Sequence, residues 1–130
     1  MAISDVTRRL IFNKLKNELD AISPPMVAKS NDEAMTYEMM GNKPVPYGHD
    51  KRIVPGMYFA SIAQRKDSVV FYFFPAYMNP DMPVHAPALY KCLKGKTCFH
   101  FKTEDAVDVV ELAQLLQAGL NAWQKMGYML

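Results

Sequence analysis

Val69-Val70-Phe71-Tyr72-Phe73-Phe74 is the stretch that most restricts how this chain folds. Side chains alternate along a strand, so Val69, Phe71 and Phe73 share one face and Val70, Tyr72 and Phe74 the other. Both faces are apolar. Such a strand belongs near the centre of a sheet, with helices or a folded loop covering more than one face. Met57–Gln64 reads as its neighbour, and Arg65-Lys66-Asp67-Ser68 between them has the length of a hairpin turn.

The remaining elements follow from periodicity and turn chemistry. A first helix is expected from Asp5 to Asp20 or Ile22, with Ser4 as N-cap and Pro24-Pro25 as its end. Val6, Leu10, Leu15, Leu19 and Ile22 form its expected apolar stripe. Met26–Ser30 reads as a short edge strand and Thr36–Met40 as another strand. Gly41–Gly56 is rich in proline and glycine and reads as a loop or irregular edge. Pro87 suits a helix start, so Ala88–Lys94 is expected to make two helical turns that Gly95 ends. Thr97–Lys102 returns as a strand, with Phe99 and Phe101 on one face and Cys98, His100 and Lys102 on the other. A last helix is expected from Asp105 to Lys125, stopped at Gly127, with Val109, Leu112, Leu116, Leu120 and Trp123 as its core stripe.

The expected fold class is therefore α+β. It has a central antiparallel sheet of four to five strands, N-terminal and C-terminal helices, and a short helix before the last strand. With 130 residues, half of them hydrophobic and 22% charged, one domain over residues 1–130 can build a core without staples. Disorder and a disulfide-dense miniprotein are excluded. The chain is too short for a cofactor domain plus a substrate domain, and no cofactor is expected.

Charge is uneven along the chain. Residues 51–102 hold eight bases and two acids, whereas residues 103–130 hold one base and four acids. The window 83–103 has no acid at all and contains Lys91, Lys94, Lys96 and Lys102. These lysines, with Lys51, Arg52 and Tyr77, are the candidate ligand-binding residues for a small anion or an acidic protein partner. Lys91 and Lys94 also suit the C-terminal end of a helix, where the dipole favours cations. Nucleic acid is not the expected partner, because the lysines are sparse and the glycine-aromatic pattern of an RNA-recognition strand is missing. The aromatic residues read first as core.

Cys98 and His100 share a face and are the candidate metal ligands, with Cys92 and His85 as possible additions. A small half-buried thiol with a polar neighbour reads the same way. No C-x-x-C or H-x₃-H spacing is present, and neither are the G-x-S-x-G, P-loop, G-x-G-x-x-G or H-E-x-x-H motifs. A non-enzymatic protein is expected, with reduced cysteines, cytoplasmic, and a monomer or homodimer. No apolar run reaches the roughly 18–20 residues that span a membrane.

Three segments carry a family resemblance. Ser68–Tyr77, Pro87-Ala88-Leu89 and Lys94-Gly95-Lys96-Thr97-Cys98-Phe99-His100-Phe101-Lys102 resemble the YdhG-like family, a bacterial domain of unknown function. Leu112, Leu116, Gly119 and Gly127-Tyr128 are similar to its closing helix. The resemblance covers residues 57–128 and implies a small α+β domain similar in outline to frataxin. Some relatives look like iron-delivery proteins, so it also implies iron handling as the alternative function. It implies no catalytic residues.

Overall fold

A computed structural model describes residues 2–130. The chain opens with α1 (Asp5–Asp20), β1 (Val27–Asn31) and β2 (Thr36–Met40). A small hairpin of β3 (Val45–Tyr47) and β4 (Arg52–Val54) follows, then β5 (Tyr58–Gln64), β6 (Val69–Phe73) and α2 (Pro75–Met78). Two 3-10 turns, Met82–His85 and Leu89–Cys92, lead to β7 (Leu93–Lys94) and β8 (Cys98–Phe101). A third 3-10 turn, Glu104–Ala106, precedes α3 (Val109–Lys125). Six strands form one antiparallel sheet in the order β1-β2-β5-β6-β8-β7, and β3 and β4 pair separately. The α+β class stands, with one strand more than the upper expectation.

The apolar strand β6 does lie inside the sheet, between β5 and β8. Its Val69, Phe71 and Phe73 line up with Ile62 and Ala60 of β5 and with Phe101 and Phe99 of β8 on one buried face. Both long helices pack there. Tyr37, on the same face, donates from its hydroxyl to Asp20 of α1 at 2.8 Å. Gly119 of α3 sits against Phe73 and Phe59. The second face carries Val70 and Tyr72, and the two long helices lie on the first. Val70 is nonetheless buried, flanked in the sheet by Ala63 and His100. Phe74 leaves the strand with helical backbone angles and packs edge-on to Trp123.

Ser4 caps α1 by accepting from the Thr7 backbone N–H at 3.0 Å. Its buried residues are Ile11, Phe12, Leu15 and Leu19, while Val6 and Leu10 are 70% and 42% exposed. The expected stripe contained a five-residue step from Leu10 to Leu15. At about 100° per residue that step swings Leu10 roughly 140° away from Leu15, off the core face. The four-residue ladder Ile11–Leu15–Leu19 is the seam instead.

α3 starts at Val109, not Asp105. Asp108 is its N-cap and accepts from the Glu111 N–H at 3.0 Å, so the acids before it form a separate turn. Leu112, Leu115, Leu116, Leu120 and Trp123 are its buried residues besides Gly119, whereas Val109 in the first turn is 38% exposed. Gly127 ends the helix with φ +83°.

The two helical turns expected at Ala88–Lys94 are not formed. Leu89–Cys92 is a 3-10 turn whose leading amides, Ala88 and Leu89, donate to the Glu111 carboxylate of α3 at 2.8 and 3.0 Å. This anchor draws the chain onto the sheet edge as β7, and Gly95 (φ +77°) turns it into β8. The Gly41–Gly56 excursion is likewise more ordered than a loop. Pro46 pairs with Ile53, which a two-stranded ribbon allows because each strand has an open edge. The excursion is pinched at its base. The Gly41 N–H donates to the Met57 carbonyl at 2.9 Å, and a side chain on Gly56 would run into the Gly41 carbonyl.

Candidate functional site

Strand directions gather several candidate residues at one end of the sheet. β2 leaves at Met40 and β5 enters at Tyr58, its partner, while β6 leaves at Phe73, whose N–H donates to Thr97 at 2.9 Å. The β3–β4 hairpin, α2 and the Gly95-Lys96-Thr97 turn therefore all emerge at this end.

Pro75 begins α2, which places Phe74 and Tyr77 one helical turn apart. Their rings stack with centroids 6.1 Å apart and planes inclined by 13°. Tyr77 is 58% exposed. Lys96 crosses from the β7–β8 turn and sets its ammonium 5.2 Å from the Tyr77 ring centre. Behind Phe74 stand half-buried Tyr58 at 5.9 Å and fully buried Trp123 at 6.1 Å, so the exposed ring is backed by further aromatics. Ala76, Tyr77, Pro80 and Lys96 line an open groove of about 550 Å³. The result is a cation held over an open aromatic face. It offers a charge to an anion and a π surface to a planar or apolar group.

The other candidates are dispersed. Lys51 (φ +54°) and Arg52 sit at the tip of the β3–β4 hairpin, where the Arg52 N–H donates to Asp50. Lys91 is exposed on the Leu89–Cys92 turn. No hydrogen bond or ion pair joins these three to the Tyr77–Lys96 pair among the described residues. Lys94 lies on β7 directly opposite Cys98, and Lys102 follows the far end of β8.

Cys98 and His100 do share the sheet face away from the helices, as alternation requires. His100 titrates below its ordinary range, first because of burial and then because Lys94, Arg65 and Lys102 lie near, with Asp67 opposing them. The Cys92 thiol is raised by burial. His85 stands elsewhere, in a groove of about 540 Å³ with Asp81, Gln117, Asn121 and Lys125. Among the described residues, no three His, Cys, Asp or Glu side chains come together as a metal site.

Two contributors are not evident as such in the sequence. Phe74 reads as a strand residue, although the three-residue step to Tyr77 across a proline is a stacking signal. Arg65 reads as a turn residue, yet its Nη2 donates to the Tyr72 hydroxyl at 2.6 Å. No helix among the described residues is long and apolar enough to cross a membrane. No protein-family model, curated protein or solved structure matches the chain.

Proposed function

We propose that this chain is a non-enzymatic binding domain of the YdhG-like type that takes a small anionic ligand at the Tyr77–Lys96 platform. The observation that carries the reading is the Lys96 ammonium 5.2 Å from an exposed tyrosine ring that is itself stacked on Phe74. Two further features support it. The ion pairs among the described residues, Arg8–Asp5 and Lys16–Asp20, both lie in α1, so neither Lys94 nor Lys96 is neutralised by a carboxylate. The groove between Tyr77, Pro80 and Lys96 has room for a ring-sized group. A ligand with one anionic group and one planar group uses both halves of the platform.

Phenyl phosphate, with inorganic phosphate as comparison, is the probe. Titrated into ¹⁵N-labelled protein, it is expected to shift the amides of Tyr77, Lys96 and Thr97 more strongly than inorganic phosphate does. Lys96→Glu abolishes binding while amide dispersion stays unchanged, and Tyr77→Ala removes the preference for the ring. Unchanged affinity in the lysine variant refutes the proposal. Iron(II) or zinc binding that disappears in Cys98→Ser supports the metal-handling alternative instead.

A further inference from the structure

The sheet face opposite the helices is left unused by the Tyr77–Lys96 reading. Strand register lines up one outward residue per strand across it: Lys29, Glu38, Ser61, Tyr72, Cys98 and Lys94. The neighbouring row holds Ala63, Val70 and His100. Ala63 and Cys98 are short, half-buried side chains, Val70 beside Ala63 is buried, and the Tyr58 hydroxyl meets that of Ser61 at 2.7 Å, so the face is shallow with Tyr58 and Tyr72 standing on it.

Charge on this face is lopsided. On the β1–β2 side Lys29 lies directly opposite Glu38, and the two balance. On the β6–β8–β7 side Arg65, Lys94 and Lys102 surround His100, and Asp67 is the one acid acting there. None of the three cations belongs to an ion pair among the described residues. Arg65 is held in place by Tyr72 rather than by a carboxylate. Cations without a carboxylate partner, one of them held by Tyr72, are complementary to the carboxylates of an acidic segment.

We propose that the β6–β8–β7 half of this face docks an extended acidic peptide segment of a partner protein. An apolar side chain rests beside Tyr72, between Ala63 and Cys98, and carboxylates face Arg65, Lys94 and Lys102. A second copy of this chain is a poorer occupant, because its own outer face presents the same cations and only Glu38 and Asp67 as acids. Single-stranded nucleic acid needs several open rings for stacking. The two tyrosine rings on this face, Tyr58 and Tyr72, are held by their hydroxyls, to Ser61 at 2.7 Å and to Arg65 at 2.6 Å, and do not stand open for stacking.

The probe is a synthetic peptide of alternating aspartate and leucine, titrated into the ¹⁵N-labelled full chain, with a thymidine oligonucleotide in a parallel titration. Expected are shifts at the Tyr72, Cys98, His100 and Lys94 amides that fade in high salt. Arg65→Glu with Lys102→Glu weakens the peptide by about tenfold or more. Lys94→Gln with Lys102→Gln, which places no new charge, serves if the reversed variant loses amide dispersion. Tyr77→Ala with Lys96→Glu retains the peptide, which separates this surface from the platform should either fail. Shifts elsewhere, affinity indifferent to these cations, absence of binding, or tighter binding of the oligonucleotide on this face overturns the proposal.

Discussion

Replacing Gly119 by alanine tests how closely α3 is seated on the sheet. A methyl group there would lie 2.7 Å from the Phe73 ring tip and 3.0 Å from two carbons of Phe59. Carbon atoms prefer about 3.5–4.0 Å, so the overlap approaches an ångström. Neither ring has room to retreat. Both are 0% exposed, they meet edge to face at 5.4 Å, and Phe59 meets Trp123 at 5.4 Å on its other side. Overpacking of this kind costs about 1–3 kcal/mol. Alanine returns about 1 kcal/mol through helix propensity. The expected net effect is a destabilisation of up to about 2 kcal/mol, or up to roughly 8 °C in Tm. Trp123 is the single tryptophan and is buried, so its fluorescence follows unfolding in urea. The same substitution in a Phe73→Leu background should cost less, because the ring tip that it meets is gone. Higher stability of Gly119→Ala in the parent, or no coupling to Phe73, refutes the packing argument.

Two other predictions concern titrating groups. Tyr37→Phe removes the hydrogen bond to Asp20 and should lower stability by about 1 kcal/mol in urea unfolding at neutral pH. Burial, followed by the Asp20 contact, raises the Tyr37 pKa far above its ordinary value. The folded state therefore keeps its proton longer than the unfolded one, and this stabilisation fades as pH rises past about 10. The difference between Tyr37→Phe and the parent should shrink there, and a constant difference counts against the link. His100 should titrate below its ordinary range by NMR, and Lys94→Gln should move it partly back, since burial is the larger cause and Lys94 the next. Because the depressed value favours the proton on the unfolded chain, His100 withdraws stability as pH falls below about 6.5. An unmoved His100 titration in Lys94→Gln would show that the lysine does not act on it.

Most of the fold was legible because it rests on local rules. Ser4 as cap, the Arg65–Ser68 hairpin, the glycine stops at Gly95 and Gly127, and the central place of Val69–Phe73 all follow from neighbouring residues. What escaped depends on contacts across the chain. Leu89–Cys92 reads as helical until Glu111, some twenty residues on, takes the leading amides and the chain continues as β7. The true seam of α1 is set by the sheet beneath it, not by the first apolar residues of the helix. How far the second face of β6 is covered cannot be read from its own apolar residues, since Val70 is buried there while Tyr72 is half-buried. The same limit applies to the site. Tyr77 and the lysines were visible as residue types, but the Tyr77–Lys96 pairing needs α2 and the β7–β8 turn to meet at one end of the sheet. Separation of Lys51, Arg52 and Lys91 from that pair is equally a matter of topology.

The pinch between Gly41 and Gly56 makes the β3–β4 excursion a natural graft point. Chain enters and leaves through touching backbones, so the fourteen residues between them form a closed loop whose length is decoupled from the sheet register. Loop-closure entropy grows slowly with length. Longer or shorter inserts at the hairpin tip, between Tyr47 and Arg52, can therefore be exchanged while Val45 keeps its place in the core and β2 and β5 remain paired. Variation in what such a domain recognises can then accumulate at this one junction, with the aromatic core left unchanged.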